Sequence, residues 1–441
     1  MLIGAGIYFR LSIYPKLPIL NGYAAKNLCS CIFLANMSEK QVLDEDLSFP
    51  PTDLASSQVD YENKTVTSDF YGLYPKTAVY REGLGCALVN QKEVSEVRQQ
   101  DFDLLDEEIA DSVLHYFAAF DSIDLLTASQ KRQMDMALDK AFQEENPEVN
   151  TKNTRAVVAI YKGKVVAERY AHNFTKHTKF PGWSMTKSLT AVLMANMARD
   201  SLLGLHDEIP VEAWKNDDRH YIQYRDALNM VTGLQWEEEY DRVCAVTEML
   251  YKQDDMAEVV FAQPLVQPTR SKFYYSTGTT ALLCKAIAQY FPTHYDYLLA
   301  PYQLFHQKMG MSSLLIETDA SNHFVGSSYG WASTRDWGKF GWLMANDGVW
   351  NDERLISEEW MRFITAAAPD SDGEYGGHFW LNKGKVYPDL PTNTITCRGY
   401  HGQRIFIFPT EKLVVVRMGL THDKTAFDSN AFAKSFYDII N

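Results

Sequence analysis

Two strand-like segments stand at opposite ends of a long helical stretch, and this arrangement restricts the fold more than any other feature of the chain. Arg155–Tyr161 and Val165–Ala171 flank Lys162-Gly163-Lys164 in a hairpin pattern. Arg404–Phe408 and Leu413–Arg417 repeat that pattern around the turn Pro409–Lys412. Between them, residues 184–200 are rich in Met, Leu and Ala, and residues 205–345 read mainly as helix, with loops around Asn216–Asp218, Pro264–Pro268 and Ala320–Ser328. Thr127 and Gln130 form a capping box ahead of Met134, Leu138 and Phe142, one apolar stripe. Phe432, Phe436 and Ile440 mark a terminal helix. The fold class that satisfies these elements is α/β (α+β). One antiparallel sheet draws strands from both ends of the chain, is flanked by helices, and has an all-α region inserted. A cleft between the two regions is the expected place for a site.

The organisation follows from these elements. Residues 1–60 read as an N-terminal segment and linker, and 61–125 as an extension with a β-hairpin at 63–89. Residues 126–441 form the main domain, with its sheet from 150–171 and 394–418 and its helical region at about 190–345. The start, Met1 to Phe9, is apolar but interrupted by Arg10, Pro15 and Lys16. It is shorter than the ~20 apolar residues a spanning helix needs. Two readings fit it: an ordinary buried segment, or the tail end of a membrane anchor whose start lies upstream.

Composition narrows the partners. Among 441 residues, 46% are hydrophobic and the net charge is −15, so phosphate backbones are repelled and nucleic acid is not an expected partner. Six cysteines are too few and irregular for a disulfide scaffold. Cys29 and Cys31 are badly spaced for a mutual bridge, and Cys86, Cys244, Cys284 and Cys397 read as small core residues. The eleven histidines show no metal-binding spacing, so no metal site is expected.

Three motifs carry chemistry. In Trp183-Ser184-Met185-Thr186-Lys187, Ser184 and Lys187 share a helix face, which brings an amine to a hydroxyl. A serine needs such a base to become a nucleophile, and burial can lower a lysine enough to act as one. Ser184 is the only serine followed by Lys three residues on. In Phe273-Tyr274-Tyr275-Ser276-Thr277-Gly278, a tyrosine precedes an apolar helix; ammonium charge near it is expected to depress its pKa and make it a candidate base. Gly399-Tyr400-His401-Gly402-Gln403 is expected as an edge strand offering a backbone N–H to an oxyanion. Thr277, Tyr329, His378 and Trp380 are expected to line the pocket.

The order of these motifs resembles the penicillin-recognising serine hydrolases: class C β-lactamases, DD-peptidases and related esterases and amidases. Val157–Tyr170, Gly182–Ser188, Met230–Trp236, Ala332–Gly341 and Gly402–Pro409 extend the resemblance over residues 125–441, nearest to the 6-aminohexanoate-dimer hydrolase and esterase branch. The resemblance implies a β-lactamase/transpeptidase-like fold and hydrolysis of an amide or ester through an acyl-enzyme. Ser184 would be the nucleophile, Lys187 and Tyr275 would share the proton, and Ser184 with the Tyr400–Gln403 segment would hold the oxyanion. It implies no cofactor, and it implies export to the periplasm or membrane surface, although a cytoplasmic place is compatible with the residues.

Two positions depart from the pattern. Thr277 stands where the family commonly has Asn, and Tyr400 where β-lactamases and DD-peptidases carry Lys or His. The second departure weighs against β-lactamase specifically, with β-lactamase or DD-peptidase activity as the alternative reading, and the first leaves room for a sensor that acylates without turnover. A rival nucleophile, Ser328 in Gly326-Ser327-Ser328-Tyr329-Gly330, matches the α/β-hydrolase elbow but lacks the strand before it and the helix after it.

Overall fold

The computed structural model describes residues 9–102, 125–144 and 150–441. The expectations for residues 1–8, and for most of 91–125, fall outside them. The chain begins with α1 (Leu17–Cys29) and a four-stranded meander of β1 (Ser56–Asp60), β2 (Thr65–Phe70), β3 (Leu73–Arg81) and β4 (Gly85–Val89). Then come α2 (Ala128–Phe142), β5 (Thr154–Tyr161), β6 (Lys164–Tyr170), β7 (Lys179–Pro181) and α3 (Thr186–Arg199). The helical middle supplies α4 (Ala245–Lys252) and α5 (Thr277–Ala288), followed by β8 (Leu315–Ile316), β9 (Gly330–Ser333) and α6 (Thr334–Ala345). The small hairpin β10 (Val349–Trp350) and β11 (Glu353–Arg354) precedes β12 (Tyr375–Gly376), β13 (Phe379–Leu381), β14 (Ile395–Arg398), β15 (Arg404–Phe408), β16 (Leu413–Gly419) and α7 (Ser429–Ile440).

The main sheet has seven antiparallel strands in the order β12-β13-β14-β15-β16-β5-β6. Strands from both ends of the chain meet where β16 pairs with β5, Val416 opposite Val158 and Val414 opposite Ile160. β5 is buried along nearly its whole length because both faces of the sheet are covered, so it reads as a continuous apolar run rather than an alternation. On one face α2 and α7 pack Met134, Leu138, Phe432 and Phe436 against Val157, Phe406 and Val415. On the other, α6 comes close because Gly338 and Gly341 have no side chain. A Cβ at either would lie 2.4 Å from Ile160 or 2.6 Å from Val414. The capping box at Thr127 is present.

The N-terminal region departs from its reading as linker and hairpin. The hairpin expected at 63–89 is part of the meander, and β1 already begins within the supposed linker. α1 is largely buried and packs between β3 and α4. Its Lys26 forms a fully buried ion pair with Glu317 at 2.6 Å, and the same carboxylate accepts from Ser30, the Cys86 amide and Trp331 Nε1. Gly85 is required beside it: its φ is +72°, and a Cβ there would lie 2.5 Å from Glu317 Cγ. Arg155 of β5 reaches back to Glu45 and Asp46 at 2.7 and 2.8 Å. Cys86 is buried, but it is bonded to Cys29 in a disulfide with 6.2 Å between Cα atoms, which ties α1 to β4. Spacing along the chain gave no sign of this pair, because it is the fold that brings 29 and 86 together. Among the described residues no helix is long and apolar enough to cross a membrane.

Candidate active site

β7 ends at Pro181 and the chain turns sharply into α3. Gly182 donates to Gly330 O at 2.7 Å, and a Cβ on it would strike Trp337 at 2.3 Å. Trp183 adopts φ +47°, an uncommon left-handed conformation for a non-glycine residue. Ser184 thereby falls in the 3₁₀ turn Trp183–Met185 that opens α3, partly exposed, with Lys187 one turn on and buried. Amides at such a start have no acceptor within the helix and favour developing negative charge.

Lys187 Nζ lies 3.1 Å from Ser184 Oγ, 3.1 Å from Thr277 Oγ1 and 2.9 Å from Ser327 O. Burial lowers its pKa to about 8, against the opposing charge of Glu238. An amine held this way is neutral in an appreciable fraction of molecules near pH 8 and can take a proton from the hydroxyl beside it. Tyr275 is brought to the same place by the start of α5. Lys187 Nζ lies 4.9 Å from its ring centre, and Ser184 is near enough to work against the rise in its pKa. The expected depression of its pKa is corrected here. Burial raises it, and neither the nearby Ser184 nor the Arg398 charge overcomes that, so the phenol keeps its proton. Trp380 stacks on Tyr275, with 5.4 Å between ring centres.

The third motif is placed differently from its expectation. Tyr400–Gly402 is a tight 3₁₀ turn rather than an edge strand. The strand before it, β14, lies inside the sheet between β13 and β15. Its end nevertheless reaches the Ser184 turn: a Cβ on Gly399 would sit 2.2 Å from Gly182 O. Gly399 is extended (φ −122°, ψ 165°) and gives its N–H to Gln403 O, so the Tyr400 N–H points the opposite way, off that pair.

His401 is buried against Trp183, Phe49 and His422, with its pKa lowered chiefly by burial. Gln403 spends its amide on the Gly419 backbone, and Gly402 (φ +77°) makes room for Arg417. These three support the turn and are not brought to Ser184. His378 is likewise no pocket wall: its ring is clamped between Thr280 and Leu228 O at 2.9 Å each, and burial lowers its pKa to about 3. Tyr329 is buried beneath Trp183, with Lys26 4.0 Å over its ring. Ser328 lies buried in a turn with no strand before it, and the neighbouring Ser327 carbonyl faces Lys187.

Two contributors escaped the sequence reading. Glu238 accepts from both the amide and the hydroxyl of Thr277. It stands in the run Glu237-Glu238-Glu239, which reads as a solvated acidic stretch; the only pointer is the adjoining Met230–Trp236 segment. Tyr23 of α1 stacks on Trp183 at 6.2 Å and 3°, making the N-terminal helix part of the site's surroundings.

A serine–lysine–tyrosine cluster at the junction of a helix start, a helical region and an antiparallel sheet defines the class of β-lactamase/transpeptidase-like folds. A family model described as Beta-lactamase matches residues 153–432. The chain belongs to that family. Among solved structures it is similar to a Bacillus anthracis protein provisionally described as a 6-aminohexanoate-dimer hydrolase (18% identity, TM-score 0.54, 65% of this chain and 78% of that one). It is also similar to EstCE1, a hydrolase with promiscuous acyltransferase activity (14%, TM-score 0.56, 71% and 100%). A penicillin-binding protein homologue from Caulobacter crescentus is a third (13%, TM-score 0.55, 72% and 99%). No curated protein matches the chain.

Proposed function

We propose that the protein is a serine hydrolase that cleaves a small ester or amide through an acyl-enzyme on Ser184. The observation that carries this reading is the buried Lys187 amine, lowered to about 8 and 3.1 Å from Ser184 Oγ. Ser184 Oγ bonds to the substrate's carbonyl carbon while its proton passes to Lys187. Tyr275, still protonated, gives its proton to the departing alcohol or amine, and the proton held by Lys187 makes good that loss. In this reading the Ser184 and Tyr400 amides hold the oxyanion. Water then attacks the acyl carbon, and the same two side chains return a proton to Ser184.

Amide or ester hydrolysis is favoured over β-lactam cleavage, because Tyr400 is half exposed and uncharged where a carboxylate-gripping cation would stand. The Cys29–Cys86 disulfide supports export to an oxidising compartment. A chromogenic short-chain ester tests the reading. Steady turnover, lost in Ser184→Ala, together with a fluorophosphonate adduct mapped to Ser184, is the expected result. An adduct on another residue, or one stoichiometric burst with no turnover, overturns it.

A further inference from the structure

The Lys187 amine touches three oxygens, and the hydrogen count decides what it can do with them. A neutral amine has two hydrogens and one lone pair, so one of the three contacts must be with a donor. Ser327 offers a carbonyl, which only accepts, and takes one hydrogen at 2.9 Å. The other hydrogen and the lone pair are shared between the hydroxyls of Ser184 and Thr277, each at 3.1 Å. Distance does not choose between them. The choice falls to whichever hydroxyl has its own hydrogen committed elsewhere.

That hydroxyl is Thr277. Its Oγ1 donates to Glu238 Oε1, and its backbone N–H donates to Glu238 Oε2 at 2.9 Å. A carboxylate accepts and cannot donate, so both hydrogens of Thr277 point away from Lys187. The Tyr240 hydroxyl lies 3.1 Å from Thr277 Oγ1 and bonds the same carboxylate at 2.8 Å, closing the other side. Glu238 is itself held by Trp236 Nε1 at 2.5 Å. The Trp236 ring fits only because position 278 is glycine: a Cβ there would lie 2.3 Å from the indole.

We propose that Glu238 is a positioning residue: by holding the Thr277 hydroxyl hydrogen it leaves Thr277 an acceptor toward Lys187, and so aims the lysine lone pair at Ser184 Oγ. The inference rests on the roles of Ser184 and Lys187 proposed above. It accounts for a threonine where the family's motif commonly has asparagine. An amide carries a fixed acceptor of its own, whereas a hydroxyl rotates and needs a partner to fix its hydrogen.

The electrostatics give the test its sign. The titratable groups facing Lys187 and Glu238 are Tyr275 and Cys284 on and before α5, Tyr240 beside Glu238, Tyr375 of β12, and His378, with Arg398 of β14 facing Tyr275. Burial raises the tyrosines, lifts Cys284 to about 11 and lowers His378 to about 3, so these are uncharged near neutral pH. Glu238 is therefore the charge that holds Lys187 up. Removing it moves the lysine, and the acid limb of the rate, to lower pH. A general loosening of the site would hydrate Lys187 and move that limb to higher pH instead.

The experiment is the second-order rate of Ser184 labelling by a fluorophosphonate, measured against pH for wild type, Glu238→Gln, Thr277→Val, Thr277→Ser and the Glu238→Gln/Thr277→Val double variant, each checked for folding by thermal unfolding. Glu238→Gln is expected to slow the plateau at least about tenfold, part of the ~10²–10⁴-fold that proton transfer supplies, and to move the acid limb down. The double variant is expected to be no slower than Thr277→Val, while Thr277→Ser keeps the wild-type limb. An unchanged plateau in Glu238→Gln, a limb that moves up, or fully multiplicative losses in the double variant overturn this inference alone. Wild type that takes no label at Ser184 overturns the proposed function, and this inference with it.

Discussion

At the scale of single residues, the site is a contest between burial and charge. Lys187 sits in α3, where among the described residues no acidic group hydrogen-bonds it, and burial lowers it to about 8. Tyr275 is equally buried, but its charged form is the anion, so the same desolvation raises it. In the proposed mechanism the base is therefore lysine, and its working form is the neutral one. The kcat/KM profile for an ester is expected to rise with pH as one limb near 8, because the neutral amine is populated only above the lysine pKa. Tyr275→Phe is expected to lower the plateau by roughly 10²-fold or more without moving that midpoint. A midpoint displaced by Tyr275→Phe would make the phenol the titrating base. Ser184 and Lys187 were legible in the sequence because residues three apart on a helix meet whatever the rest of the chain does. The direction of the Tyr275 shift was not, since it depends on how much water the fold removes from the ring.

At the scale of elements, several strands and helices from Thr127 onward follow their local patterns closely: the helix start at Thr127, the hairpin at 154–170 and the paired strands at 404–419 all form. α1 is different. Its sequence mixes Pro18, Asn21, Gly22, Lys26 and Asn27 among apolar residues, a pattern that announces neither a surface helix nor a buried one. It is buried because a partner for Lys26 arrives from 291 residues away. Breaking such a pair leaves a lone charge in the interior. Glu317→Ala is therefore expected to cost about 3–5 kcal/mol in urea unfolding, and a loss within about 0.5 kcal/mol, the size of an ordinary surface change, would show that the pair does not anchor α1. The third motif shows the same limit in miniature. Gly399 and Gly402 signalled an unusual backbone, but only the approach of Gly182 and Arg417 shows that it is a turn and which amide it frees.

At the scale of the whole molecule, the N-terminal meander and α1 are fastened to the β-lactamase-family region by the Lys26–Glu317 pair and the Arg155 bridges, and to each other by the Cys29–Cys86 bond. Thiol titration of the denatured, unreduced protein is expected to count the four free cysteines Cys31, Cys244, Cys284 and Cys397, and six after reduction. Six before reduction would remove the bridge and the argument for an oxidising compartment. Reduction of the bond is expected to lower stability by about 4 kcal/mol, the chain-entropy figure for a loop of this length. By itself the sequence determined the sheet-and-helix order, the pairing of strands from its two ends, and the serine–lysine pair, because each is encoded in short-range periodicity or in the spacing of one helical turn. Tertiary structure alone decided that Tyr275 remains a phenol, that Tyr400 lies in a turn, that Cys86 meets Cys29, and that an acid from an apparently solvated run orients Thr277. Each of these rests on groups distant in the chain meeting where water is excluded, and neither proximity of that kind nor the loss of solvent is written in any local stretch of residues.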